Sequence, residues 1–126
     1  MKERVNSDAA PAAIGTYSQA IRVGETLYVS GQIPLDPVSM TIVSENIDDQ
    51  INQVLDNLSA ILVAAGTSLD SVVKFTVFLT DLQHFGRVNE LMAERLSEPY
   101  PTRAAIEVAG LPKEAKIEID AIAHLN

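Results

Sequence analysis

Apolar residues recur between positions 47 and 65 as Ile47, Ile51, Val54, Leu55, Leu58, Ile61, Leu62 and Ala65, which places them on one stripe of a helix. Asn46 before the stripe is a fitting N-cap, Asp48 and Asp49 suit the positive end of the helix, and Gly66 suits its stop. "GETLYVSGQIP" (24–34) is rich in strand formers and ends at Pro34, where the turn-like "LDPVS" begins. "SVVKFTVFLT" (71–80) is β-branched and aromatic without polar alternation, which predicts a strand covered on both faces. A second helix is expected from about Asp81 to Leu96, with Phe85, Val88, Met92 and Leu96 along one side. "RAAIEVA" and "KIEIDAIA" then read as two strands joined by "GLPKE". The order is strands, helix, strand, helix, strand, strand. It predicts an α+β domain, a mixed sheet with two helices packed on one face.

The last two strands carry the candidate chemistry. Ile117, Ile119, Ala121 and Ala123 point one way, and Lys116, Glu118 and Asp120 the other. Likewise Ala104, Ile106 and Val108 oppose Arg103, Ala105 and Glu107. If the short connection makes a hairpin, both polar sets lie on the sheet face away from the helices. Glu118 is then across from Ala105 and diagonal to Arg103, a spacing of about 7–8 Å that long side chains bridge. A surface ion pair worth ~0–1 kcal/mol is the plain account. The functional account is a guanidinium that takes a carboxylate in its fork, with an acid nearby for proton work. Pro99 and Pro101 restrict the approach to Arg103, so the start of its strand is held in place.

Composition removes several classes of chemistry. The 126 residues fit one domain, 1–126, with 47% hydrophobic and 21% charged residues. Cysteine is absent, which excludes disulfides, thiol nucleophiles and Cys-ligated zinc. His84 and His124 are the only histidines, so no His-based metal site is expected, and neither a Walker loop nor a G-x-S-x-G or G-x-G-x-x-G motif occurs. The net charge is −8, and the nine bases are scattered singly, so no nucleic-acid partner is expected. The N-terminus shows no signal-peptide pattern and no apolar run approaches the ~18 residues that span a bilayer. No membrane association and a cytoplasmic location are the expectations. Taken singly, Ser30 reads as a turn former, Tyr17 as a partly buried phenol and Asn89 as a solvent-facing helix residue.

Taken together, "APAAIGTYSQAIRVG", "LYVSGQIPLDP", "QVLDNLSAILVAAG", "VVKFTVFLTDLQHFGRVNE" and "YPTRAAIEVAGLPKEAKIEIDAIA" resemble the RidA family, the reactive intermediate deaminases also called YjgF. The resemblance runs from about Ala10 to Ala123, in order. It implies a chorismate-mutase-like α+β fold, assembly as a homotrimer, and three clefts between subunits. It also implies hydrolysis of enamines and imines, chiefly 2-aminoacrylate and 2-aminocrotonate released by pyridoxal-phosphate enzymes. The products would be 2-keto acids and ammonia, with no cofactor or metal.

By the same resemblance, Arg103 would clamp the substrate carboxylate and Glu118 would orient a water or relay a proton. Tyr17, Ser30 and Asn89 would line the pocket, and Gly31 would let backbone approach the ligand. Ala105 would offer its backbone to the carboxylate, where many relatives carry Cys or Thr. Thr16 stands where a proline is common and Ala104 where Ser or Thr is frequent, departures that bear on pocket shape. An endoribonuclease or translation inhibitor, and a non-catalytic small-ligand-binding or chaperone-like trimer, are the competing expectations.

Overall fold

The computed structural model describes residues 1–126. Its elements in chain order are strands β1 (Lys2–Val5), β2 (Ala20–Val23) and β3 (Thr26–Gln32), helix α1 (Ile47–Ala64), strand β4 (Val72–Leu79), helix α2 (Phe85–Ala93), and strands β5 (Thr102–Glu107) and β6 (Ile117–His124). The strands form one mixed sheet ordered β1-β2-β3-β6-β4-β5, with the helices on one face, so the fold is α+β. No helix is long and apolar enough to cross a membrane.

Helix α1 forms where its stripe and caps predict. The Asn46 side chain accepts a hydrogen bond from Asp49 N at 3.1 Å. At the other end Gly66 takes φ +85°, while Thr67 N donates to Leu62 O at 3.0 Å and Gly66 N to Val63 O at 2.9 Å. These two bonds are the Schellman pattern, which a glycine in the left-handed region permits without steric cost. Ile51, Val54, Leu55, Leu58, Ile61 and Leu62 are fully buried against the sheet. Each such side chain contributes about 1.5–3 kcal/mol relative to exposure, so the stripe anchors the core.

Three buried amides tie loops to this core. Asn57 of α1 donates to Leu35 O at 3.1 Å and Ile33 O at 3.3 Å. Gln50 donates to Ser44 O and accepts from Lys116 N, both at 2.9 Å. Gln19 accepts from Ser7 N at 2.7 Å and donates to Ser7 O at 3.0 Å and Pro11 O at 2.9 Å. Such groups are costly to bury unless paired, and here each is paired.

Several expectations need correction. The segment at 81–96 divides into a 3₁₀ turn, Leu82–His84, and the shorter α2. The Asp81 side chain caps the turn by accepting from Gln83 N at 2.9 Å. Strand β4 is covered on one face only: Val72, Phe75, Val77 and Leu79 are buried, whereas Val73 is 48% exposed. The sequence leaves the isomer before Pro101 open; that bond is trans, and the cis bond is Glu98–Pro99.

The largest correction concerns the expected hairpin, which does not form. Strand β5 runs parallel to β4, and β6 lies between β3 and β4, antiparallel to both. The physical reason is burial. Ile117, Ile119, Ala121 and Ala123 are all buried, so β6 is most stable in the middle of the sheet with both edges occupied. Strand β5 buries little and takes the outer edge. The register then places Arg103 beside the buried Phe75, on the helix side, and Glu118 beside Phe78. Positions 75 and 78 are an odd number of residues apart, so Arg103 and Glu118 lie on opposite faces of the sheet. The diagonal pair expected from the sequence is absent.

Candidate functional site

The chemistry falls into two clefts, one holding the acid and the other the guanidinium. The first has a volume of about 650 Å³ and takes in Tyr17, Ser30, Gly31, Met40, Lys113 and Glu118. Its floor is a β-bulge. Val29 pairs with Ala121 and Gln32 with Ile119, so Ser30 and Gly31 together face Asp120. A bulge re-aims the residues it carries, and here it turns Ser30 toward the preceding loop. Ser30 Oγ donates to Ser18 O at 2.6 Å and Ser30 N to Gln19 O at 2.9 Å.

Gly31 lies directly under the Glu118 carboxylate. A Cβ there would collide with Glu118 Oε2 and stand 2.9 Å from its Cδ. Only glycine leaves the acid its position. Burial pushes the Glu118 carboxyl above its usual range, and neighbouring Asp120 adds to the shift. Tyr17 is 54% exposed, its ring close to Gly15, where φ is +129°.

The second cleft, about 320 Å³, is lined by Phe75, Asn89, Met92, Leu96, Tyr100 and Arg103, among others. Arg103 leaves edge strand β5 on the helix side and lies against α2. Its Nη1 donates to Asn89 Oδ1 at 3.0 Å and approaches Met92 Sδ at 4.0 Å. Its Cζ is 4.8 Å from the centroid of the Phe85 ring. The Nε and Nη2 hydrogens make no bond within the chain, so one two-pronged edge of the fork is open. Ala105, next on the same face, is half-buried against the core.

The structure therefore brings Tyr17, Ser30, Gly31 and Glu118 together, and separately Arg103 with Asn89, with Ala105 beside them. It does not bring Arg103 to Glu118 within one chain. Phe85 and Met92, which touch the arginine, and Tyr100 and Lys113, which line the two clefts, were not singled out as site residues from the sequence. Phe85, Asn89 and Met92 follow the i, i+4, i+7 spacing of one helix face, a signal that was visible but reads as core packing. The bulge under Ser30 and Gly31 has no comparable signal.

Comparison with known proteins gives a consistent picture. A family model described as "Endoribonuclease L-PSP" matches residues 7–125. A RutC family protein of Pyrococcus horikoshii is 51% identical over 124 residues, 98% of each chain. A 2-iminobutanoate/2-iminopropanoate deaminase of Rattus norvegicus is 47% identical, covering 98% of this chain and 90% of the rat protein. Among solved structures, RidA from an Antarctic Psychrobacter superposes with a TM-score of 0.94 at 50% identity, covering 98% of this chain and 99% of that one.

Proposed function

The chain belongs to the endoribonuclease L-PSP family, which is the RidA/YjgF family, and from that membership we propose that it hydrolyses 2-imino acids and their enamine tautomers to 2-keto acids and ammonia. The substrates of this reading are 2-aminoacrylate and 2-aminocrotonate. One observation carries it: a guanidinium held with an open two-pronged edge, and a carboxyl of raised pKa in a separate cleft on the other sheet face. Each is half of a site. A second copy of the chain, in the homotrimer of this reading, completes it by setting the Arg103 cleft of one subunit against the Glu118 cleft of the next.

The chemistry then follows from the groups present. Arg103 takes the substrate carboxylate through Nε and Nη2, which fixes the reacting carbon against the acid cleft. Water adds to C2 of the imine as Glu118 accepts its proton, and the C=N double bond becomes a C–N single bond. Glu118 returns the proton to nitrogen to give the carbinolamine; it then takes the proton of the new hydroxyl and passes it to the same nitrogen, so that the C–N bond breaks as the C=O bond forms and ammonia leaves a 2-keto acid. A carboxyl raised toward neutrality serves both as base and as acid, which suits the two steps. The family's endoribonuclease description favours a rival, but a net charge of −8 with dispersed bases opposes binding to a polyanion.

The test follows keto-acid formation when a serine or threonine dehydratase generates the imine. Arg103→Ala and Glu118→Gln, each alone, are expected to fall to the no-protein rate. Denatured and refolded together, they should regain about a quarter of the wild-type rate, because random mixing joins an intact Glu118 to an intact Arg103 at one interface in four. Absence of recovery from two well-folded variants would place the whole site within one chain and defeat the shared-site reading. Wild-type protein that fails to accelerate the step would defeat the deaminase reading itself.

A further inference from the structure

We propose that Phe85 is a positioning residue for substrate recognition: its ring, together with Asn89, sets the guanidinium of Arg103 so that the Nε/Nη2 edge faces outward. This rests on the reading of Arg103 as the carboxylate clamp. An arginine on an edge strand has many rotamers, and ordering it on binding weakens the ligand's affinity. Here the ordering precedes the ligand. Asn89 accepts from Nη1 at 3.0 Å, and the Phe85 ring lies 4.8 Å from Cζ. The ring covers the guanidinium from the helix side, where its negative face attracts the cation.

The two holds are complementary. Asn89 occupies one nitrogen, and the ring occupies a flat face without consuming any N–H donor. What remains is the edge that takes a carboxylate side-on. The same molecule shows what that edge does when a carboxylate is present: Arg87 donates from Nε and Nη2 to the two oxygens of Asp48, both at 2.8 Å. A hydrogen-bonding residue at position 85 would compete for the donors that substrate needs, whereas an aromatic ring does not. The contact also ties the direction of Arg103 to the first turn of α2, since position 85 opens that helix.

The ring's electrostatics separate this role from packing. Replacing Phe85 with 4-fluoro-, 3,5-difluoro- and 3,4,5-trifluorophenylalanine drains the ring face in steps while nearly preserving its shape. The expected result is a stepwise rise in KM for 2-iminopropanoate, about 3- to 10-fold across the series, with kcat nearly unchanged. The Kd for pyruvate, a stable 2-keto acid with the same carboxylate, should rise in parallel. Phe85→Tyr should stay near wild type, and Phe85→Leu should show the largest rise in KM at an unchanged oligomeric state. A flat KM and Kd across the series, with Arg103→Ala inactive, would overturn the role of Phe85 and leave the clamp standing. Full activity in Arg103→Ala would overturn both.

Discussion

Two arginines meet at helix α2, Arg87 within it and Arg103 packed against it, and they differ in what their charge meets. Arg87 is held by both prongs to Asp48 of α1 and lies near Glu90, 3.6 Å away. Its partner holds it, and it in turn pulls the Asp48 carboxyl below its ordinary range. Arg103 meets an amide oxygen, a ring face and a thioether sulfur, and no carboxylate. The first arrangement neutralises a charge; the second orients a charge without neutralising it. Orientation without neutralisation is what a binding group needs, and it separates the two by geometry where their residue type does not.

The sharpest break of this comparison is Arg103→Ala. Loss of a bidentate contact made to a charged group predicts a fall in kcat/KM of about 100-fold or more, with little change in thermal stability. Unfolding of the variant at ordinary temperature would instead make Arg103 a structural residue like Arg87. Gly31→Ala tests the other half. Its Cβ displaces the Glu118 carboxylate, and kcat is expected to fall about 10-fold or more while the fold, read by circular dichroism, is kept. Unchanged turnover would show that the position of the acid does not matter.

Glu118→Gln sharpens the electrostatic side. Because the folded-state pKa is raised above the ordinary 4.5, the stability linked to this group is fully present below about that pH and is lost as pH rises through the raised value. The glutamine variant lacks this loss, so denaturant midpoints should show it gaining on wild type as pH rises above about 4.5. In wild type, kcat/KM should show an acid limb that lies above the usual carboxylate range. Smallest of all is Arg87→Ala. It should lower the melting temperature slightly, more so at low salt, and leave turnover untouched. A large loss of activity there would erase the contrast between the two arginines.

Much of the fold was legible because periodicity reports burial. The α1 stripe, the Asn46 cap and the Gly66 stop all follow from side chains that must leave water or satisfy helix ends. Strand β6 was legible for the same reason, and β4 from its β-branched and aromatic content. Their neighbours were not. Pairing is decided by which strand buries most, and "GLPKE" offered a short connection that looked like a hairpin. Lys113 at φ 57° and Glu114 at φ 59° turn the chain there instead, with residues that do not advertise a left-handed backbone. The early strands β1 and β2 carry Lys2, Glu3, Arg4 and Arg22 and only short apolar runs, so they gave little signal. At the candidate site, the identities of Arg103 and Glu118 could be read from residue type and resemblance. Their separation onto opposite faces could not, because it depends on the parallel β4–β5 register.

The three buried amides have a further consequence for how such a cleft can change. Gln19, Gln50 and Asn57 grip the loops by carbonyl oxygens and amide hydrogens, atoms that belong to the main chain. A loop held in this way keeps its path whatever side chains it carries. Residues 7–14 and 33–44 can therefore exchange one lining for another while the walls stay where they are, and neutral amides hold equally at any pH in which the protein is folded. The scaffold and the lining are separable, and a new pocket can be written onto this sheet without rewriting what supports it.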